Sequence, residues 1–108
     1  MRRFAGLRRQ ANFARLRQRG RRIPTKNLTL YLGDAAAGDS TSLVGITVNK
    51  TIGKAVLRNT LRRRLAAIVN EALPSDRRVR LVIVARPTAG ALSFAALRDE
   101  LCAALTKA

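Results

Sequence analysis

The chain contains no histidine, no tryptophan and a single cysteine, Cys102, in 108 residues. Without histidine it lacks the commonest metal ligand and the one side chain that ordinarily titrates near neutrality. One cysteine excludes an intramolecular disulfide and is compatible with a reducing compartment. Acids are scarce as well: 6 Asp and Glu stand against 22 Lys and Arg. From Met1 to Gly33, and again from Ser40 to Asn70, every charged residue is basic. So few acids, in unlike contexts, supply neither a catalytic dyad nor a metal cage. Long apolar runs are missing too. None reaches the roughly 18 residues needed to span a bilayer, and "MRRFAGLRRQANF" lacks the apolar centre of a signal peptide. The expected location is the cytoplasm, with no membrane partner.

What is present is positive charge and leucine. The formal charge of +16 and pI near 12.0 are hard to explain by solubility and point to a polyanionic partner, foremost nucleic acid. A hydrophobic fraction of 47% supports a packed core, and the length suits one RNA-binding domain over 1–108. Residues 1–10 are basic and weakly patterned, and read as a flexible arm. A short helix is expected from about Asn12 to Arg19, capped by Asn12, stopped by Gly20 and showing Phe13 and Leu16 on one face. Pro24 prevents its continuation, and a short strand is possible around Arg22 to Thr25.

Two alternating strands follow. In "NLTLYLG", Leu28, Leu30 and Leu32 point one way and Thr29 and Tyr31 the other. In "LVGITVN", Val44, Ile46 and Val48 point inward, with Gly45 and Thr47 outward. The small-residue loop between them suggests an antiparallel pair, with Asp34 and Asp39 serving turn chemistry. From about Lys54 to Leu73 the period becomes helical: Leu57, Leu61, Leu65, Ile68 and Ala72 form one stripe, and Pro74 ends it. "VRLVIVA", Val79 to Ala85, suits a central strand covered on both faces. On the same reading Arg80 and Arg86 share strand parity. A last helix is expected from Phe94 to Thr106, capped by Ser93, with Leu92 and Leu97 placed for a hydrophobic staple. The class is α+β: a small mixed sheet packed with helices, in the order helix-strand-strand(-strand)-helix-strand-helix.

The long helix poses the functional question. "GKAVLRNTLRRRL" places Arg58, Arg62, Arg63 and Arg64 on adjacent turns with no carboxylate near, an arrangement that repels itself unless an anion is bound. Asn59 and Arg63 lie opposite the apolar stripe, Arg58 and Arg64 flank it, and Arg62 lies between. Lys50, Lys54 and Gly53 lead into the helix start, whose free N–H groups and positive dipole end suit phosphate oxygens. A solvated basic face is the plainer reading of such a run; the acid-free flanks weigh against it here.

"VGITVNKTIGKAVLRNTLRRRL" resembles the central signature of the protein subunit of bacterial ribonuclease P. The matching residues are Val44, Gly45, Ile46, Val48, Lys50, Gly53, Ala55, Val56, Arg58, Asn59, Arg62 and Arg63. "ANFARLRQRG", "LTLYL" and "LVIVARP" resemble further elements of that family. Some positions depart from the pattern: Thr60 replaces an arginine of the signature, Ala66-Ala67 replace Arg-Glu, Arg17 replaces a second aromatic, and Leu28 stands where a bulkier aromatic is common. The resemblance implies a ribosomal protein S5 domain 2-like fold and an accessory role. The catalyst would be an RNA with Mg2+, no cofactor would bind to the protein alone, and the reaction would be endonucleolytic removal of the 5′ leader from precursor tRNA. It places Lys50, Lys54, Arg58, Asn59, Arg62, Arg63 and Arg64 against the catalytic RNA. It also implies a leader cleft between the first helix and the outer sheet face. Phe13, Arg17, Thr29, Tyr31, Thr47 and Arg86 are the candidates for that cleft, although Phe13 could equally pack against Phe4 or Leu16. DNA is not an expected partner.

Three other readings are weighed against this one. A ribosomal or other structural RNA-binding protein would share charge and fold class. A nuclease using Lys50 or Lys54 to stabilise a phosphorane lacks acid/base groups. A binder of anionic membranes would need an exposed apolar face beside the basic one.

Overall fold

The computed structural model describes residues 2–107. A five-stranded sheet is built from β1 (Phe4–Gly6), β2 (Arg21–Pro24), β3 (Leu28–Asp34), β4 (Ser42–Thr47) and β5 (Val79–Ala85) in the order β1-β4-β5-β3-β2. Helix α1 (Gln10–Arg19) lies on one face, while α2 (Ala55–Ala72) and α3 (Phe94–Thr106) lie on the other. Short 3₁₀ turns at Lys50–Ile52 and Pro87–Ala91 connect β4 to α2 and β5 to α3.

The expected strand alternation is realised. Leu28, Leu30 and Leu32 of β3 and Leu81 and Ile83 of β5 face α2 and α3, joined by Leu61, Leu65, Ile68, Leu97 and Leu101. Val82 and Tyr31 face α1. The long, apolar β5 is central because both of its faces are covered.

Three expectations are corrected. β3 and β4 are not hydrogen-bonded neighbours: β5 lies between them, antiparallel to β3 and parallel to β4. A parallel neighbour needs a long crossover, which α2 supplies. The flexible arm is replaced, over the residues described, by an anchored segment. β1 pairs in parallel with β4, Phe4 and Leu7 are buried, and Arg3 donates to the carbonyls of Asn70 (3.0 Å), Glu71 (3.3 Å) and Leu73 (2.9 Å) at the end of α2. Finally, Asn12 does not cap α1. Arg9 occupies that position without a side-chain bond, and the Asn12 Oδ1 instead accepts from Arg80 Nη1 at 3.2 Å.

Ser93 caps α3 as expected, accepting from Ala96 N at 3.1 Å. The buried stripe of α2 is Leu61, Leu65, Ile68 and Val69. It is therefore displaced toward Arg58, and Leu57 is left 38% exposed at the opposite margin.

Candidate nucleic-acid interface

The start of α2 is built for negative charge. The Asn49 carboxamide accepts from Thr51 N at 3.0 Å and fixes the 3₁₀ turn. Gly53 then takes φ 148°, which side-chain-bearing residues rarely adopt. An added Cβ would meet only the movable Leu57 Cδ2, at 2.9 Å, so it is the backbone conformation that calls for glycine. Lys54 stands at the N-cap of α2, no side chain caps the helix, and its first turn holds no acid. The positive end of an 18-residue helix thus opens beside the exposed Lys50 and Lys54.

The four arginines of α2 diverge. Arg58 is half-buried by the displaced stripe, and its Nε is buried with no hydrogen-bond partner among the described residues. Arg62 donates to Asn59 Oδ1 at 3.0 Å and reaches the Val48 carbonyl at 3.4 Å. Arg63 is exposed and lines a groove with Arg2, Ala66 and Ala67. Arg64 turns the other way, toward the Leu92 carbonyl at 3.5 Å. Arg58, Asn59, Arg62 and Arg63 therefore share one side of α2, and Arg64 faces the α3 side. Thr60 is occupied by a bond to the Val56 carbonyl at 3.0 Å.

Arg2 is an addition to this surface that sequence spacing did not reveal. It joins Arg62 and Arg63 along a groove of about 280 Å³ and stacks 4.7 Å from the Phe4 ring centroid. Only the pairing of β1 with β4 carries it there.

The opposite sheet face forms rows set by register. Tyr31, Val82 and Gly45 make one row, and Thr29, Val84 and Thr47 make the next. Phe13 lies directly over Gly45, where an added Cβ would stand 2.4 Å from the ring. Phe13 and Tyr31 are both half-buried around Leu7, Leu16 and Val82. Phe4 belongs to the cluster on the other face, so of the two packing partners expected for Phe13 only the Leu16 side is available. Thr29 is buried and accepts from Arg86 Nε at 3.3 Å and Nη2 at 3.2 Å, which fixes that guanidinium at the end of the row. Arg17 is exposed on α1, one turn beyond Phe13. Arg22, opposite Tyr31 in register and exposed, extends the first row and was not singled out from sequence.

Arg80 separates from this group. It forms a two-bond ion pair with Asp39, Nε–Oδ2 2.9 Å and Nη2–Oδ1 3.0 Å. That guanidinium holds the Asp39 carboxyl below the usual carboxylate range. Asp39 also accepts from Ala36 N at 2.8 Å, so the expected turn role is present alongside the pairing.

A small α+β body with an uncapped basic helix start and an aromatic-bearing sheet face defines an RNA-binding accessory protein. The family model described as Ribonuclease P matches residues 1–108. The ribonuclease P protein component of Acidothermus cellulolyticus is 38% identical over 95 residues, covering 87% of this chain and 79% of that protein. The component of Gluconacetobacter diazotrophicus is 36% identical over 104 residues, covering 94% and 89%. The fold matches the ribonuclease P protein of Staphylococcus aureus with a TM-score of 0.84 at 20% identity, over 94% of this chain and 93% of that one. It also matches that of Thermotoga maritima, with a TM-score of 0.79 at 22% identity over 94% and 96%. The chain belongs to the ribonuclease P protein family: it is the accessory protein subunit of an endoribonuclease that processes tRNA 5′ leaders and works with the ribonuclease P RNA.

Proposed function

We propose that the two surfaces divide the work of the holoenzyme. The start of α2, with Lys50, Lys54, Arg58, Asn59, Arg62 and Arg63, grips the catalytic RNA, and Arg64 supplies charge from its flank. The face carrying Phe13, Arg17, Thr29, Tyr31, Thr47 and Arg86 holds the single-stranded leader of precursor tRNA. One observation carries this reading: the surfaces lie on opposite faces of one sheet and meet at the C-terminal end of β4, where Thr47 belongs to one and Lys50 to the other. A protein so arranged can rest on the ribozyme and present the leader beside it.

The chemistry fits each partner. Arg58 is half-buried beside the exposed, uncapped start of α2, so phosphate oxygens there would meet the exposed part of its guanidinium together with Lys54 and the free N–H groups of the helix. On the other face, partly buried aromatics near the fixed Arg86 guanidinium and the exposed Arg17 suit unpaired nucleotides held by stacking and phosphate contacts, without reading of base edges. The Mg2+ required for cleavage belongs with the RNA in this reading, and the cytoplasm, where precursor tRNA is made, is the place of action.

Reconstitution with the ribonuclease P RNA at low Mg2+ tests the division. Arg58→Ala with Arg63→Ala should weaken assembly with that RNA, whereas Tyr31→Ala should weaken leader-bearing substrate relative to mature tRNA. Reversed defects would mean that the surfaces are exchanged.

A further inference from the structure

The start of α2 and the row of Thr29, Val84 and Thr47 lie toward the end of the sheet where β4 and β5 finish. The opposite end, where β5 begins and β3 finishes, carries a second concentration of arginine. Arg15 and Arg19 come from α1, Arg21 from β2, and Arg77 and Arg78 from the approach to β5. All five are exposed. They line three contiguous grooves of about 690, 350 and 230 Å³ that share Asp34; the first two also share Arg77, and the last two Arg19. The 18 residues of α2, at 1.5 Å each, set this end about 27 Å from Lys54.

Four of the chain's six acids, Asp34, Asp39, Glu71 and Asp76, also lie at this end, and other arginines offset part of their charge. Arg80 neutralises Asp39 in the only ion pair among the described residues. Arg3 covers the carbonyls of Asn70, Glu71 and Leu73, which form the negative end of α2. The five exposed arginines, with Arg3 and Arg80, outnumber these four carboxylates by seven to four and leave this end basic.

We infer that this end is a second RNA-binding surface, shaped for the phosphate backbone of double-helical RNA. No aromatic residue lines any of the three grooves, so unpaired bases have nothing to stack on. Arginines spread over a helix end, an edge strand and a loop instead match phosphates fixed in space by a duplex, which proteins recognise by shape and backbone. The protein would then hold two RNA segments at opposite ends of α2. This inference is independent of which RNA the start of α2 binds.

Binding of a 12-base-pair RNA duplex, followed by fluorescence anisotropy and sedimentation, tests it with three proteins: the natural chain, Arg19→Gln/Arg21→Gln/Arg77→Gln, and Arg58→Gln/Arg62→Gln/Arg63→Gln. Circular dichroism verifies folding of each. The Arg19, Arg21 and Arg77 variant should bind one duplex fewer than the natural chain, and the Arg58, Arg62 and Arg63 variant should keep the duplex held at this end. Losing three phosphate contacts should make the log–log salt slope of the affected site shallower by roughly 2 to 3. Unchanged stoichiometry and slope in the Arg19, Arg21 and Arg77 variant would overturn the inference, as would tighter binding of a 12-nucleotide single strand at that end. Failure of the α2 assignment would appear separately, as normal ribozyme assembly by the Arg58, Arg62 and Arg63 variant.

Discussion

The two faces of the sheet are built to different standards. Toward α2 and α3 lies a continuous core in which Leu28, Leu30, Leu65, Ile68, Leu81, Ile83, Leu97 and Leu101 are wholly buried. Toward α1 the buried apolar side chains are Leu7, Leu16 and Val82, and the aromatics beside them are only partly buried. Stability therefore resides mainly on one face, which leaves the other free to keep Phe13 and Tyr31 available to a ligand. Aromatic surface left partly wet gives up burial free energy, at roughly 25 cal/mol per Å², and a nucleotide that stacks there recovers it.

The largest test of this asymmetry is a cavity on the inner face. Leu65→Ala, at a site with 0% exposure, should lower unfolding free energy by about 2–5 kcal/mol in urea titration. Leu16→Ala on the outer face should cost less, because fewer buried neighbours surround it. Equal losses would show that α1 belongs to the same cooperative core.

Next in size is Gly45→Ala. The new methyl would meet Phe13 Cζ at 2.4 Å and Cε1 at 2.6 Å, so the ring or α1 must move. A stability loss of about 1–3 kcal/mol is expected for such overpacking, together with weaker binding of leader-bearing tRNA. Adding Phe13→Ala should restore most of the stability but not the binding, a non-additivity that a double-mutant cycle reads directly. Simple additivity would place Phe13 elsewhere.

Tyr31→Ala should act on binding more than on folding. The half-buried ring stands in register with Val82, and loss of one stacking platform is worth about 1–3 kcal/mol for the precursor, with mature tRNA unaffected. A common loss for both RNAs would remove Tyr31 from the leader surface.

These contrasts also show what local pattern could reveal. Most of the α2 stripe and the alternation of β3 and β4 were legible because burial imposes periods of 3.6 and 2 on the residues themselves, and the apolar run of β5 because both its faces are covered. The arginine cluster was legible as composition. Strand order was not, since the insertion of β5 between β3 and β4 depends on a crossover and leaves no local mark. β1 escaped for a related reason: three residues, Phe4-Ala5-Gly6, become a strand only by pairing with β4. The same pairing brings Arg2 to Arg63, and the β2–β3 register brings Arg22 to Tyr31. The divergence of Arg64 toward Leu92 likewise depends on the turn before α3, far along the chain.

The smallest expected effect compares one carboxylate from each face. On the inner side Glu100 of α3 accepts from Thr25 Oγ1 at 2.5 Å, Asn27 N at 2.8 Å and Asn27 Nδ2 at 2.7 Å, tying α3 to the β2–β3 connection. Burial pushes its carboxyl up, but these bonds, with Lys26 nearby, outweigh burial and leave it below the ordinary glutamate value. On the outer side Asp39 is lowered chiefly by Arg80. A carboxyl whose folded pKa lies below its unfolded one binds fewer protons when folded, so it stabilises the fold at pH values above the unfolded pKa. For Glu100 that contribution is full above about 4.3 and disappears as pH falls through the lower folded value. Urea titrations of the natural chain and of Glu100→Gln should therefore differ at pH 6, and the gap should narrow as pH falls below the unfolded value. A gap that did not change with pH would mean that Glu100 acts through packing, and acid sensitivity would then rest with the Asp39–Arg80 pair on the less buried face.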